Sequence, residues 1–187
     1  MKILITGGTG MVGSAFKDID TKHNLVLIGS SEQDLTDYQS ALSAINEHNP
    51  DAVIHLAARV GGVKGNSDFV ADFYSDNIRI NTNVLLAAHS LEVGKVLSLL
   101  STCIYPDNAI YPLTEGQIHS GAPHQSNFGY AYAKRMLEVQ SRAYRQQYGS
   151  NFITAVPNNL FGEHDNFDLE NGHVIPSIIR KVYEAKQ

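Results

Sequence analysis

The chain of 187 residues contains one cysteine, Cys103. A lone thiol excludes an internal disulfide framework and fits a reducing compartment, so a cytoplasmic location is expected. No apolar run is long enough to span a bilayer. No basic run offers a footprint for nucleic acid or an anionic membrane surface, and the formal charge is −5 with a pI of about 5.9. The eight histidines are scattered without metal-ligand spacing, so no metal site is expected. Residues 2–6, Lys-Ile-Leu-Ile-Thr, read as a strand running straight into glycines rather than as a signal peptide. Internal repeats and low-complexity tracts are lacking as well.

What the chain does have is enough apolar residue, 43%, for the core of one domain. Short apolar runs alternate with segments of helical pattern. Strands are expected at residues 3–6, 25–28, 52–56, 95–101 and 152–156. Helices are expected to start at residues 13–18 and to cover 38–48, 69–92, 129–148 and 175–185, with Asn49-Pro50 and Gly149 as stops. Gly61, Gly62 and Gly65, and residues 106–127, read as loops. Such alternation implies an α/β fold, a doubly wound parallel sheet of Rossmann type with helices on both faces. One dinucleotide-binding domain over residues 1–187 is expected, ending on a helix without a closing strand or second lobe.

The segment Thr6-Gly7-Gly8-Thr9-Gly10-Met11-Val12-Gly13 follows the first strand and opens the first helix. In a dinucleotide fingerprint Gly7 permits the tight turn, Gly10 lets backbone approach a pyrophosphate, and Gly13 allows close helix-strand packing. The helix N-terminus then offers free N–H groups to the phosphates. At the end of the second strand, NAD enzymes carry an acid for the ribose 2′-hydroxyl. Here Ser30 and Ser31 stand there and offer hydroxyls to a 2′-phosphate, which favours NADP. No arginine is near and Glu32 follows closely, so NAD stays open. Asp34 and Leu35 border the adenine side, Asp34 being equally suited to capping a turn.

Tyr130 and Lys134 lie four apart on a predicted helix and so share one face. An ammonium there would hold the phenol's pKa down and make it a usable acid or base. Ser101, at the end of the fourth strand, would hydrogen-bond the same carbonyl oxygen. Cys103 follows two residues later.

The glycine fingerprint with Ser101, Tyr130 and Lys134 resembles the extended short-chain dehydrogenase/reductases. The blocks Ala57-Ala58-Arg59-Val60-Gly61-Gly62, Ser101-Thr102-Cys103-Ile104-Tyr105-Pro106, His164-Asp165-Asn166-Phe167 and His173-Val174-Ile175-Pro176 are similar, more narrowly, to the GDP-L-fucose synthases. That resemblance implies NADPH-dependent 3,5-epimerisation and 4-reduction of a GDP-4-keto-6-deoxy sugar, a GDP-sugar partner and a homodimer built on residues 69–92 and 129–148. It implies that Cys103 and His173 are the epimerising acid and base, with Ser101, Tyr130 and Lys134 acting at the 4-keto group and the nicotinamide ribose. It puts Ala57, Ala58, Leu99, Leu100, Ser101 and His173 beside the cofactor, with Pro157, Asn158, Asn159 and Leu160 lining it from the next strand. Asn159 and Lys181 are matched to the GDP-sugar. Related 4,6-dehydratases place Asp-Glu where Cys103-Ile104 stands, so no carboxylate pair is positioned for water elimination. The chain departs from the family pattern at Asn158, for Thr, and at Glu163, for Pro. Family members also continue well beyond this length, with a segment that supplies most of the nucleotide-sugar lobe. Two other readings stand beside this one. One is a dinucleotide-binding fragment without turnover, and the other is a different sugar-nucleotide epimerase or dehydratase of the superfamily.

Overall fold

The computed structural model describes residues 1–169 and 172–186. Strands β1 (Lys2–Thr6), β2 (Asn24–Ile28), β3 (Ala52–His55), β4 (Lys95–Leu99) and β5 (Phe152–Ala155) form one parallel sheet in the order β2-β1-β3-β4-β5. Strands covered on both faces read as continuous apolar runs, and Leu4, Ile5, Val53 and Val96 are buried accordingly. The chain steps from β1 to β2 in one direction, and every later crossover steps in the other. This reversal between β1 and β3 opens a crevice at the carboxyl ends of the strands, where an open α/β sheet binds its ligands.

The helices are α1 (Met11–Ala15), α2 (Tyr38–His48), α3 (Val63–Asp68), α4 (Val70–Ser90), α5 (Phe128–Tyr148) and α6 (Val174–Ala185). A 3-10 turn carries α1 on to Asp18. α2 packs on α4 and α4 on α5, making one layer. Right-handed crossovers put α1 on the opposite face, because its crossover runs the other way. The main core joins Ala41, Ala44 and Ile45 of α2, Val84 and Leu85 of α4, and Leu137 of α5 to Leu4, Val53, Val96 and Phe152. Stops come where expected: α2 ends at Asn49 (φ 40°) before Pro50, and α5 at Gly149 (φ 68°), both left-handed.

Three expectations change. The glycine-rich stretch after β3 is not all loop, because α3 forms within it. There Asn66 Nδ2 bonds the carbonyls of Gly61 and Gly62, and Lys64 pairs with Asp68 at 2.7 Å. The helix expected from residue 69 starts one residue later, since Phe69 leaves helical geometry (φ −122°, ψ 41°) and separates α3 from α4. β4 stops at Leu99, and Ser101 instead caps the 3-10 turn of residues 102–104.

The sheet edge at β5 has one feature of note. The guanidinium of Arg145 on α5 donates to the carbonyl of Phe152 at 2.5 Å.

A polar chain runs through the centre of the sheet. Thr6 and His55 are neighbours in the β1–β3 register. Thr6 Oγ1 lies 2.8 Å from His55 Nδ1, and His55 Nε2 lies 3.0 Å from Asn81 Oδ1. Asn81 Nδ2 donates onward to the carbonyl of Ala133 (3.4 Å). Since that amide donates through nitrogen, its oxygen accepts from Nε2–H, and Nδ1 accepts from the threonine hydroxyl. His55 is fully buried, and burial, then the charge of Lys134, push its pKa down to about 3.

The unfolded chain therefore takes up a proton on His55 below about pH 6.5, and the folded chain does not. Stability should fall by roughly 1.4 kcal/mol per pH unit from this group as pH drops from 6.5 toward 3. We expect urea denaturation between pH 7.5 and 4.5 to show this slope, and His55→Gln to remove about one proton's worth of it. Equal slopes in both proteins would rule out His55 as the source.

Candidate active site

The cleft along the strand ends encloses about 1460 Å³, more than the usual small-molecule site and roomy enough for a dinucleotide and a second ligand. It begins at the tip of β2, passes the glycine loop and ends between β4, α5 and the start of α6.

In the glycine loop, Gly7 takes φ 72° and a Cβ there would lie 2.8 Å from the Ala57 nitrogen. A Cβ on Gly13 would lie 2.3 Å from the Gly7 carbonyl oxygen and 2.5 Å from Gly8 Cα. Gly13 thus lets α1 sit directly against the loop rather than against a strand, as the sequence suggested. Gly7, Thr9, Gly10, Met11, Val12 and Gly13 line the cleft. Gly8 does not, because it packs on Leu27 and its N–H bonds the Ile28 carbonyl at 2.8 Å. Gly10 makes no side-chain cap for α1, so the first-turn N–H groups stay available to an anion.

At the β2 tip, Ser30, Asp34 and Leu35 line the cleft, and Ser31 stays outside its lining. Asp34 accepts from both the N–H and the hydroxyl of Thr36, bonds that hold its carboxyl below the usual range. It therefore caps a turn. Glu32 is drawn back, its Oε2 accepting from the Gly29 N–H at 2.8 Å.

At the other end, Leu99, Leu100, Ser101, Cys103, Tyr130 and Lys134 meet. Lys134 is 2% exposed and its Nζ donates to the Leu99 carbonyl at 2.8 Å. Burial lowers its pKa to about 8, against the upward pull of Cys103. Nζ stands 5.9 Å from the Tyr130 ring centre. Burial, then the nearby Cys103, push the Tyr130 phenol well up. The expectation that Lys134 would hold this phenol low is therefore corrected: desolvation sets the direction for the largely enclosed phenol, and the ammonium is itself buried and turned to a carbonyl. Burial also raises the Cys103 thiol, with the Ser101 hydroxyl and Lys134 pulling the other way.

Ala57, Ala58, Pro157, Asn158, Asn159 and Leu160 line the walls. Thr102 Oγ1 bonds Asn159 Oδ1 at 3.1 Å, tying the β4 end to the segment after β5. His173, at the N-terminus of α6, faces the cleft, and its Nδ1 lies 3.0 Å from Asp165 Oδ1. Lys181 stands exposed on α6, outside the lining. The structure does not bring it to the site.

Sequence reasoning passed over several lining residues, Asn127 and Arg59 among them. Asn127 precedes Tyr130 by three residues, and its buried Oδ1 has no hydrogen-bond partner. Arg59 follows Ala58 and pairs with Asp76 at 2.6 Å and Asp72 at 3.6 Å. Asn127 was hidden inside a stretch read as loop, and Arg59 had only its place after Ala57-Ala58 to mark it.

A five-stranded parallel sheet with this switch point, a glycine loop at β1, and Ser101, Tyr130 and Lys134 converging at its far end are the features of the extended short-chain dehydrogenase/reductase fold. Residues 3–187 match the NAD dependent epimerase/dehydratase family, and the chain belongs to that family. Within it, the chain is similar to GDP-L-fucose synthases. It is 46% identical to the GDP-L-fucose synthase of Dictyostelium discoideum and 43% identical to a probable GDP-L-fucose synthase of Drosophila melanogaster, in each case over 98% of this chain and 59% of the relative. A crystal structure of a GDP-L-fucose synthetase from Naegleria fowleri bound to NADP superposes with a TM-score of 0.90 at 42% identity, covering 98% of this chain and 62% of that one. The chain thus spans about three-fifths of the length of these relatives.

The raised thiol predicts a slow cysteine. Alkylation of Cys103 by iodoacetamide at pH 7.5 should run slower than that of a free thiol. Its rate should keep rising beyond pH 9, where an unperturbed thiol levels off. A plateau below pH 8 would show a depressed thiol instead.

Proposed function

We propose that this chain binds NADP(H) and serves the 3,5-epimerisation and 4-reduction of GDP-4-keto-6-deoxy-D-mannose to GDP-L-fucose. The observation that carries the reading is the convergence of Ser101, Cys103, Tyr130 and Lys134 on one end of a cleft whose other end is the glycine loop, with His173 also in its lining. Close similarity to GDP-L-fucose synthases over nearly the whole chain supports the substrate assignment.

The cleft suits a dinucleotide. The close approach at Gly7 and Gly13 leaves no room for side chains, and the uncapped start of α1 offers its donors. Ser30 at the β2 tip, with Glu32 committed to the Gly29 N–H, favours a 2′-phosphate over a free 2′-hydroxyl. Gly7 to Gly13 would hold the pyrophosphate, and Lys134 the nicotinamide ribose. The bound cofactor supplies hydride to the sugar C4.

The remaining steps fall to the chain. The 4-keto group acidifies C3–H and C5–H. Cys103 and His173, from different elements of the lining, divide between them removal of each proton and its return to the opposite face. Burial keeps the thiol protonated, which suits Cys103 to donating. The enolate oxygen is held by the Ser101 and Tyr130 hydroxyls. Once C4 accepts hydride, Tyr130 passes its proton to the 4-oxygen, and the adjacent buried Lys134 stabilises the phenolate left behind. Exposed Tyr74, Leu86, Tyr132 and Met136 on α4 and α5 support a homodimer through these helices, and the single free thiol supports a cytoplasmic setting.

A second reading has an observation of its own. On α6, Val174, Ile178 and Val182 are each at least half exposed, so one wall of the cleft rests on a helix with an open apolar face. The chain would then hold cofactor without turnover.

NADPH oxidation with GDP-4-keto-6-deoxymannose separates the two. Tyr130→Phe should lower kcat by about 100-fold or more with NADPH affinity within a few-fold, as for loss of a general acid. Cys103→Ser should stop epimerisation. Bound NADPH with no oxidation would establish the module without turnover. Unchanged turnover in Cys103→Ser would point to another sugar-nucleotide epimerase.

A further inference from the structure

Asp165 belongs to a motif that the reaction above leaves unused. Its side chain is 3% exposed, yet it sits beside a histidine that is 44% exposed and faces the cleft. Oδ1 accepts twice, from the Asn166 N–H at 2.7 Å and from His173 Nδ1 at 3.0 Å. Oδ2 is buried with no hydrogen-bond partner. A half-satisfied buried carboxylate is costly, and a purely structural turn would be served as well by asparagine.

Residues 166–168 are bound closely to Gly172 and to the first turns of α6. The Gly172 N–H and the Ser177 hydroxyl both donate to the Asp168 carbonyl, at 3.0 and 2.9 Å, and Arg180 donates to the Phe167 carbonyl at 3.3 Å. A Cβ on Gly172 would lie 2.3 Å from the Asp168 oxygen and 2.5 Å from the Asn166 oxygen. This packing presses the start of α6 against residues 165–168 and brings His173 onto Asp165.

We infer that Asp165 is the positioning residue of His173, fixing the Nδ1–H tautomer so that Nε2 is the nitrogen that exchanges protons with the sugar. The inference rests on the enzyme reading above. A carboxylate accepts and cannot donate, so the neutral ring must point its N–H at Asp165 and keep its lone pair on Nε2. When Nε2 takes a proton, the imidazolium meets a carboxylate already in place, and when it gives one up the ring returns to the same tautomer. An aspartate behind a catalytic histidine works in this way in serine proteases. His173 alone touches the substrate, and Asp165 acts through it.

The test uses the full chain, wild type and Asp165→Asn, in two measurements. The first is 15N NMR of the His173 ring at a pH where it is neutral. Wild type should be predominantly Nδ1–H. The variant, whose amide can donate, should shift toward Nε2–H. The second is steady-state NADPH oxidation with the 4-keto GDP-sugar. The variant should lose about 100-fold or more in kcat, with KM and NADPH affinity within about threefold, and Asp165→Glu should recover part of the loss. A wild-type ring with the tautomer balance of a free imidazole, or a variant with unchanged kcat, would overturn the inference. If wild type shows no turnover, the enzyme reading falls by that result, and the NMR comparison still decides what Asp165 does to His173. If Asp165→Asn fails to fold, the wild-type tautomer alone decides.

Discussion

The hydrogen bond from Lys134 Nζ to the Leu99 carbonyl is the constraint on which the rest of the site depends. It joins the middle of α5's first turns to the last residue of β4 across the core. Because the ammonium is almost wholly buried, the bond cannot be traded for water, and burial, against the upward pull of Cys103, lowers the lysine's pKa to about 8. Tyr130, one turn earlier on the same helix, is thereby held beside Ser101 and Cys103, which follow directly from β4. With this contact, and with Arg135 Nε donating to the Ile104 carbonyl at 2.6 Å, residues about thirty positions apart in sequence share one corner of the cleft.

A second polar chain does the same work at the centre of the sheet. Thr6, His55 and Asn81 link the strand that launches the glycine loop to the backbone of α5 at Ala133, the residue before Lys134. The glycine-loop end of the cleft and the end that holds Tyr130 and Lys134 are therefore connected through buried, directional bonds, where apolar packing alone would tolerate sliding. Such networks specify one arrangement when every member is satisfied. His55 meets that condition with both ring nitrogens engaged.

The strands, the glycine loop and the Tyr130–Lys134 face were legible because each is a local pattern: an apolar run before glycines, or two residues a helical turn apart. Stops at Asn49 and Gly149 were legible for the same reason. What escaped was set by contacts distant in sequence or by solvent. α3 was missed because its support comes from the Asn66 amide and the Lys64–Asp68 pair, which no glycine count reveals. Lys181 could be matched to a motif, yet its side chain stands in water on α6. The Tyr130 acidity was misjudged because sequence shows a neighbouring ammonium and hides the depth at which the phenol lies. Asp165 carries no local pattern that marks its role, since its pairing with His173 is made by the fold.

The bond from Arg145 to Phe152 has a consequence for how this sheet can grow. β5 pairs with β4 through Asn151 and Ala155, whose carbonyls accept from Val96 and Leu100, so Phe152 and Thr154 turn their backbone groups outward. The Phe152 N–H is taken by Ser150 and its carbonyl by Arg145, which disarms that half of the edge against stray pairing. Within β5 the backbone of Thr154 is left facing outward. A strand added at this edge would pair along the carboxyl half of β5, beside the mouth of the cleft, so that extending the sheet would also build up the cleft's outer wall.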